Sequence, residues 1–505
     1  MIKHLPALLI VIPLLVAIIT PIIGRLHWVL SWYAVTISTF ISFVISLLLL
    51  QTVLVQGRIS YWMSGWEPPF GIEYAVDYLN AYVLIIISFM AFAGAIYSKK
   101  NIDVEIEDEN RKPLFYMIYL LFVTGLMGMV VTGDIFNIYV LLEITSLTGY
   151  ALIALGKKRQ ALVAGYNYLV MGTVGATFFL LGIGYLYLMT GTLNIADLAA
   201  RLPEFYQTKA IFTAFTFIVV GLSIKLAIFP MGFWLPNAYT YAPSTISAVM
   251  AATGAKVAAY ALIRIMFTVF NPEFYSHTPF NIQYILVLMA VAAILVGSIM
   301  ALAQTDIKKM LAYSSMGQIG YIVLGISLMS VTGMMGSLIH LLNHALMKGA
   351  LFFAVGAVVY KTGFTSIANL QGLGKKMPWT MAAFTMAAIS MTGVPLTVGF
   401  ISKWYLAVGS IESGMWWLVP IILISSLLTA VYFWRILDNI WFKSAPGEES
   451  LEHGHNSHQI PVKSNDAPLT MLIPTFTVAV LCIVFGVFAY APVSLAEKAA
   501  VILLK

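Results

Sequence analysis

Charge is scarce in this sequence: Asp, Glu, Lys and Arg make up 10% of 505 residues, where a water-soluble domain carries about a quarter. So little charge leaves no means of turning polar surface to water on every side. No hydrophilic stretch is long enough to form even one of the soluble domains that the length would otherwise suggest. Cysteine is reduced to Cys482, inside an apolar run, which excludes disulfides, cysteine-held iron–sulfur clusters and cysteine-based zinc sites within the chain. A Gly-rich phosphate loop, an HExxH pair and a nucleophile elbow are all missing. No cofactor or metal site is expected, and the net charge of +6 needs no nucleic acid to explain it. What is present is apolar: 61% hydrophobic residues and a mean hydropathy of +0.92. The natural solvent of such a chain is lipid, where helices satisfy their own backbone, so an all-α integral membrane protein is expected.

Apolar runs of spanning length lie at 5–23, 30–55, 77–97, 114–132, 135–155, 162–190, 209–229, 244–270, 281–302, 309–328, 332–360, 379–409, 416–441 and 469–491, about fourteen transmembrane helices. The first is read as a membrane helix, since no small-residue cleavage site follows it as in a signal peptide. With the N-terminus outside, the inner loops collect Arg25; Lys99, Lys100, Arg111 and Lys112; Lys157, Lys158 and Arg159; Lys308 and Lys309; Lys361, Lys375 and Lys376; Lys443 and Lys463. The outer side keeps only Lys3, Arg58, Arg201 and Lys209, with Lys498 and Lys505 in the tail. This asymmetry puts both termini outside. Two connections are polar enough to stand in water, Asp103–Glu109 and Ser444–Asp466; the second carries His453, His455 and His458 beside Glu448, Glu449 and Glu452. A solvated loop and a weak metal site are both open readings there. The stretch from Leu193 to Leu202 is expected to lie along the outer interface.

A charge midway through a span costs about 2.5–3.5 kcal/mol on insertion scales, so each one calls for a partner or a task. Glu143 sits mid-span; Asp134, nine residues earlier, falls on the opposite helical face and reads as a helix-start residue. Lys225 precedes Pro230 and Pro236 in a segment that the prolines should interrupt. Lys256 lies near the centre of the following span, too deep for easy snorkelling. His340, His344 and Lys348 follow one another at i, i+4 spacing and form one polar stripe. Histidines packed against hydroxyls are one reading of the pair. Haem ligation is disfavoured because both share one face. Lys403 follows Gly393, Pro395 and Gly399, which should break a second helix. Two broken, charge-bearing spans five helices apart point to an inverted internal repeat around a transport site.

The strings Lys225-Leu-Ala-Ile-Phe-Pro-Met-Gly-Phe-Trp-Leu-Pro-Asn-Ala-Tyr-Thr-Tyr-Ala-Pro-Ser244 and His340-Leu-Leu-Asn-His-Ala-Leu-Met-Lys-Gly-Ala-Leu-Phe-Phe353 resemble the proton-conducting antiporter family. That family covers antiporter-like subunits of complex I and Mrp-type multisubunit cation/proton antiporters. Within it the likeness is to the D-type Mrp subunit, and the equivalent membrane-bound hydrogenase subunit is very similar. The resemblance implies helices 1–3 within residues 1–113, inverted five-helix repeats at 114–270 and 281–441 with broken helices 7 and 12, and a final loop, helix and tail at 442–505. It also implies proton transfer through Glu143, Lys225, Lys256, His340, His344, Lys348 and Lys403. The repeat is imperfect: the tenth helix has only Asp306 at its entrance and no carboxylate matching Glu143.

The expected function is a proton-translocating subunit of a sodium/proton antiporter in a prokaryotic cell membrane, an ion transporter rather than an enzyme. Its partners would be other membrane subunits and the bilayer. A lysine with a carboxylate on one side and cations on the other is switchable. Glu143 and Lys225 are therefore expected to form a separable ion pair that drives protons toward Lys256, the histidines and Lys403. No cluster of oxygen ligands for sodium stands out, so the sodium path is expected elsewhere in the complex. A pumping subunit of a redox-driven complex and a non-conducting scaffold are the alternatives.

Overall fold

The computed structural model describes residues 2–444 and 466–504; the histidines at 453, 455 and 458 lie outside the described residues. Among the described residues, twelve helices are long and apolar enough to cross a membrane. In chain order the crossing elements begin with α1 (Leu5–Gly24), α2 (Trp28–Gln56), α3 (Tyr78–Glu105), α4 (Arg111–Val131), α5 (Ile135–Ala154) and α6 (Gln160–Thr190). A broken pair follows, α7a (Lys209–Leu226) and α7b (Leu235–Tyr241), then α8 (Ser244–Arg264), α9 (Ile282–Leu302), α10 (Ile307–Ser327) and α11 (Val331–Thr362). A second broken pair, α12a (Pro378–Thr392) and α12b (Val398–Glu412), precedes α13 (Leu418–Trp441) and α14 (Leu469–Val487). Helix α10 and the α12a/α12b pair complete a set of fourteen crossings, matching the expected number.

Burial sorts these helices into layers. The spanning window of α8 is 94% buried and that of α11 89%, whereas α1 is 28% and α13 33% buried. The buried helices are the ones that carry Lys256 and the His340–Lys348 stripe. The peripheral ones turn Leu, Ile and Trp outward, as helices facing lipid or another membrane chain do. Helix α11 runs unbroken for 32 residues, about 48 Å at 1.5 Å per residue. It packs on α8, α10 and both halves of the second broken helix.

Two matched features tie the ends of these helices together. The Asp134 side chain caps α5 by accepting from the Asn137 amide (2.7 Å), and Asp306 caps α10 from Lys309 in the same way (3.0 Å). Each sits in a single antiparallel bridge, Asp134 to Asn194 and Asp306 to Ser366. The bridges are closed by Ile135–Leu193 and Ile195–Gly133 backbone bonds in one case, and by Ile307–Thr365 and Ile367–Thr305 in the other. Five crossings separate Asp134 from Asp306, so the two staples lie at opposite ends of the bundle. An inverted pair is what the five-helix offset predicts. Asp134 is thus a helix-start residue, as its position implied.

Two elements were not foreseen. The connection between α2 and α3 is an antiparallel hairpin, β1 (Ile59–Trp62) with β2 (Glu73–Val76). Its Glu73 is buried, accepting from Ser60, Arg58 and Asn194. The expected tail after the last crossing is instead a helix, α15 (Tyr490–Leu504), packed on α3 and α11. Its Ala496, Ala499, Ala500 and Leu503 are buried along one face, a spacing that suits a helix laid against the bundle. The short helix Ile195–Arg201 occupies the stretch expected at the outer interface.

Candidate functional site

The first break is built by the chain itself. Helix α7a ends at Ala227, whose φ of 59° is left-handed. The Trp234 indole crosses the gap and donates to the freed Ile224 carbonyl at 3.0 Å. Lys225 therefore stands in the last turn of a half-helix, where the negative end of the helix dipole favours a cation. It is buried, and its Nζ donates to Ser146 Oγ (2.5 Å) and Tyr150 Oη (3.5 Å), both on α5. A cavity of about 40 Å³ opens beside it, lined by Ser146, Tyr168, Lys225, Trp234, Met250 and Gly254.

Glu143 is on the same helix as the two hydroxyls, one and two turns before them. Among the described residues it forms no ion pair with Lys225. It is partly exposed on the flank of α5, and its Oε1 is buried without a partner among the protein's own groups. The carboxylate is still near enough for its charge to bear on Lys225. The expected Glu143–Lys225 ion pair is not formed in this structure; Lys225 is bonded to Ser146 and Tyr150 instead. Those hydroxyls were not singled out from the sequence, though their spacing of three and seven from Glu143 puts them on its side of the helix.

The central groups lie deeper. Lys256, His340, His344 and Lys348 are all fully buried. Lys256 Nζ donates to the Ala251 carbonyl one turn back on α8. The imidazoles of His340 and His344 lie parallel, 6.0 Å apart. His340 Nδ1 is 2.9 Å from Ser402 Oγ, while its Nε2 and both nitrogens of His344 have no protein partner. Lys348 turns to α10 and donates to the Leu311 carbonyl (2.7 Å) and to Ser314. The charges of Lys256 and Lys348 bear on His344, and that of Lys403 on His340. No hydrogen bond joins Lys225 to Lys256; the Gly254–Ala255 segment of α8 borders the cavity between them.

At the second break, α12a ends at Gly393 (φ 90°) and α12b begins at Val398. Lys403 reaches back from α12b to the carbonyls that the break frees, Met391 (3.1 Å) and Thr392 (2.9 Å), and to Ser426 Oγ (2.9 Å). Tyr321 bridges inward, its ring 5.5 Å from Lys403 Nζ and 5.4 Å from the His340 ring. Lys225 and Lys403 thus each belong to an interrupted helix, but Lys225 is held by α5 hydroxyls and Lys403 by the carbonyls that its break frees. Between them lie titratable groups on α8 and α11, with hydroxyls from α5, α10, α12b and α13 bonded to Lys225, Lys348, His340 and Lys403 respectively. Buried groups without fixed partners are costly unless water or a changed protonation state serves them. A file of such groups can pass charge stepwise.

Comparison with known proteins gives the family and the fold. Residues 132–429 match the family described as NADH:quinone oxidoreductase/Mrp antiporter, TM. The chain is 43% identical to a protein named as the N subunit of NADH-quinone oxidoreductase from Desulforudis audaxviator, over 97% of this chain and 96% of that one. It is 31% identical to the D subunit of a Na(+)/H(+) antiporter from Bacillus subtilis, over 94% and 92% respectively. Among solved structures, a chain of the archaeal membrane-bound sulfane sulfur reductase superposes with a TM-score of 0.90 at 32% identity, covering 99% of this chain and 98% of that one.

Proposed function

The chain belongs to the family of NADH:quinone oxidoreductase and Mrp antiporter membrane subunits, and on that footing we propose that it translocates protons as one subunit of a larger membrane complex. The observation that carries this reading is the file itself. Lys225, Lys256, His344, His340 and Lys403 lie inside the protein, the two end lysines sit at broken helices, and Ser146, Ser402 and Tyr321 stand beside Lys225, His340 and Lys403 respectively. Glu143 approaching Lys225 stabilises the charged amine; Glu143 withdrawn leaves Lys225 held by hydroxyls alone and ready to release a proton inward. Lys348 and its α10 partners set the electrostatics at His344. Moving one charge through 100 mV is worth about 2.3 kcal/mol, and parting a buried ion pair costs several. The two are of one size, so a proton arriving at one end suffices to drive a charge step at the other.

The five-helix units 114–270 and 281–441 are the working halves of this proposal, with the N-terminal helices and α14 as flanking scaffold. The basic-residue asymmetry puts the hairpin, the Asp134 staple and both termini on the outer side of a prokaryotic cell membrane. Chemistry on covalent bonds is no part of the role. The sodium path of an antiporter complex would lie in another subunit. Drive by a redox enzyme is the second reading, favoured by the 43% relative named for NADH-quinone oxidoreduction.

The test is cation/proton exchange in vesicles bearing complexes with Glu143→Ala, Lys225→Ala or Lys403→Ala that still assemble. At least a tenfold loss is expected in each; near-normal exchange in all three overturns the proposal.

A further inference from the structure

A second cavity, of about 420 Å³, lies at the hairpin end of the bundle. It is lined by Arg58, Asp77, Asn80, Tyr260 and Arg264, with α15 contributing Leu503. The Lys225 cavity rises toward it along α8 through Met250, Gly254 and Ala258, and along α4 as far as Met129. Ala258 borders the lower space and Tyr260 the upper, two residues apart and about 3 Å along the helix axis. Ala258 and Tyr260 point to nearly opposite sides of α8, and the polar layer around Tyr260 lies at the height where the first cavity ends and the second begins.

That layer is tightly bonded. Arg264 is 7% exposed, Asn80 3% and Tyr260 1%. Arg264 Nη2 donates to Asp77 Oδ1 (2.5 Å) and Asn80 Oδ1 (2.6 Å), and its Nε donates to Tyr260 Oη (3.2 Å). Asn80 Nδ2 donates to Tyr260 Oη at 2.8 Å, and Tyr260 donates to the Val130 carbonyl at 3.0 Å. A phenol has one proton to give and two lone pairs to fill, so every bond Tyr260 can make is taken. In this state it passes nothing. Release of Arg264 would leave one lone pair of that hydroxyl unfilled.

We propose that Asp77, Asn80, Tyr260 and Arg264 form a closable seal between the Lys225 cavity and the hairpin-side cavity, giving the first half of the chain its own proton access to that side. The inference rests on the relay reading above and deepens it: Lys225 exchanges protons with the hairpin side by a route that does not pass through Lys403. Arg264 and Asp77 are positioning residues that hold the hydroxyl shut. Asp77 caps α3 through the Leu79 and Asn80 amides, so its carboxylate is anchored on α3, and opening the seal means breaking the bonds of Arg264 to it, to Asn80 and to Tyr260.

The experiment uses the assembled complex with Cys482→Ala, which removes the one native thiol of this chain, and Ala258→Cys as reporter, its labelling read on this chain after separation of the subunits. A membrane-impermeant cationic methanethiosulfonate is added on the hairpin side of sealed vesicles. With the native layer, labelling is slow. Asp77→Ala with Arg264→Met, which removes both charges together, should speed labelling at least tenfold and raise passive proton leak at least threefold. Adding Lys225→Met should return the leak, but not the labelling, to its starting value. Unchanged labelling and unchanged leak in the assembled double variant overturn the seal. Should that variant fail to assemble, Tyr260→Phe decides: labelling at least twofold faster supports the seal, and an unchanged rate overturns it. Normal exchange in Lys225→Met alone would sink the relay reading while leaving the labelling result standing.

Discussion

Two glycines on one helix offer a sharp test of whether Tyr150 and Lys225 matter by position. Both Gly172 and Gly184 lie on α6. A Cβ at Gly172 would fall 2.0 Å from Tyr150 Oη, 2.9 Å from its Cζ and 3.1 Å from Lys225 Nζ, whereas one at Gly184 meets nothing within 4 Å. The atoms that must yield at Gly172 are side-chain ends, so the backbone can stay in place while the site is displaced. Overpacking of this kind costs about 1–3 kcal/mol. The gain from replacing glycine in a helix, about 1 kcal/mol, is common to both positions and cancels in the comparison. If the strain falls on the working geometry, Gly172→Ala slows exchange by about tenfold to a hundredfold, and Gly184→Ala leaves it within twofold. Exchange is measured with a pH-sensitive dye in proteoliposomes, normalised to assembled complex on native gels. Tyr150→Phe added to Gly172→Ala removes the closest contact and should recover part of the loss. Equal rates in the two alanine variants, with equal assembly, would refute the claim that Tyr150 and Lys225 act through their placement.

Other perturbations have equally definite outcomes. Ser402→Ala removes the partner of His340 Nδ1 and leaves a buried polar atom unpaired, at about 1–3 kcal/mol; exchange should fall about tenfold or more while the complex still assembles. Asn194→Ala loses the cap on the Ala196 and Asp197 amides and the bond to Glu73, for about 1 kcal/mol or more, visible as a lowered thermal midpoint with little change in exchange per folded complex. Trp234→Phe removes the donor to Ile224 at the first break, and should impair exchange more than Trp404→Phe, whose ring is exposed on the periphery.

How much of this was legible depended on whether a feature carries its own signature. A proline-interrupted apolar run with a lysine in it is conspicuous, so both breaks and both end lysines were readable from Pro230, Pro236, Gly393 and Pro395. So was the stripe at His340, His344 and Lys348, because four-residue spacing stacks side chains on any helix. The hydroxyls were silent. Ser146 also bonds the Leu142 carbonyl of its own helix, as serines in membrane helices commonly do, and nothing in the sequence separates it from a dozen others. The Arg264–Asp77 pair joins residues 187 apart, a contact that only the fold creates. The hairpin has too few residues per strand to show alternation, and α15, fifteen residues long, is too short to read as a further span. The inverted staples were readable but unread. Leu193-Asn-Ile-Ala-Asp-Leu198 and Thr365-Ser-Ile-Ala-Asn-Leu370 are the same short phrase, each paired with a helix-capping aspartate.

The continuity of α11 has a consequence for how its three titratable groups behave. No proline or cap interrupts it between Val331 and Thr362, so His340, His344 and Lys348 ride on one stiff rod and keep their intervals whatever the surrounding helices do. Compliance is concentrated at the two ends of the file, where α7 and α12 are severed. In the relay proposed above, a disturbance at one severed helix would reach the other as a change of electric field across a fixed ruler, without any push along the backbone.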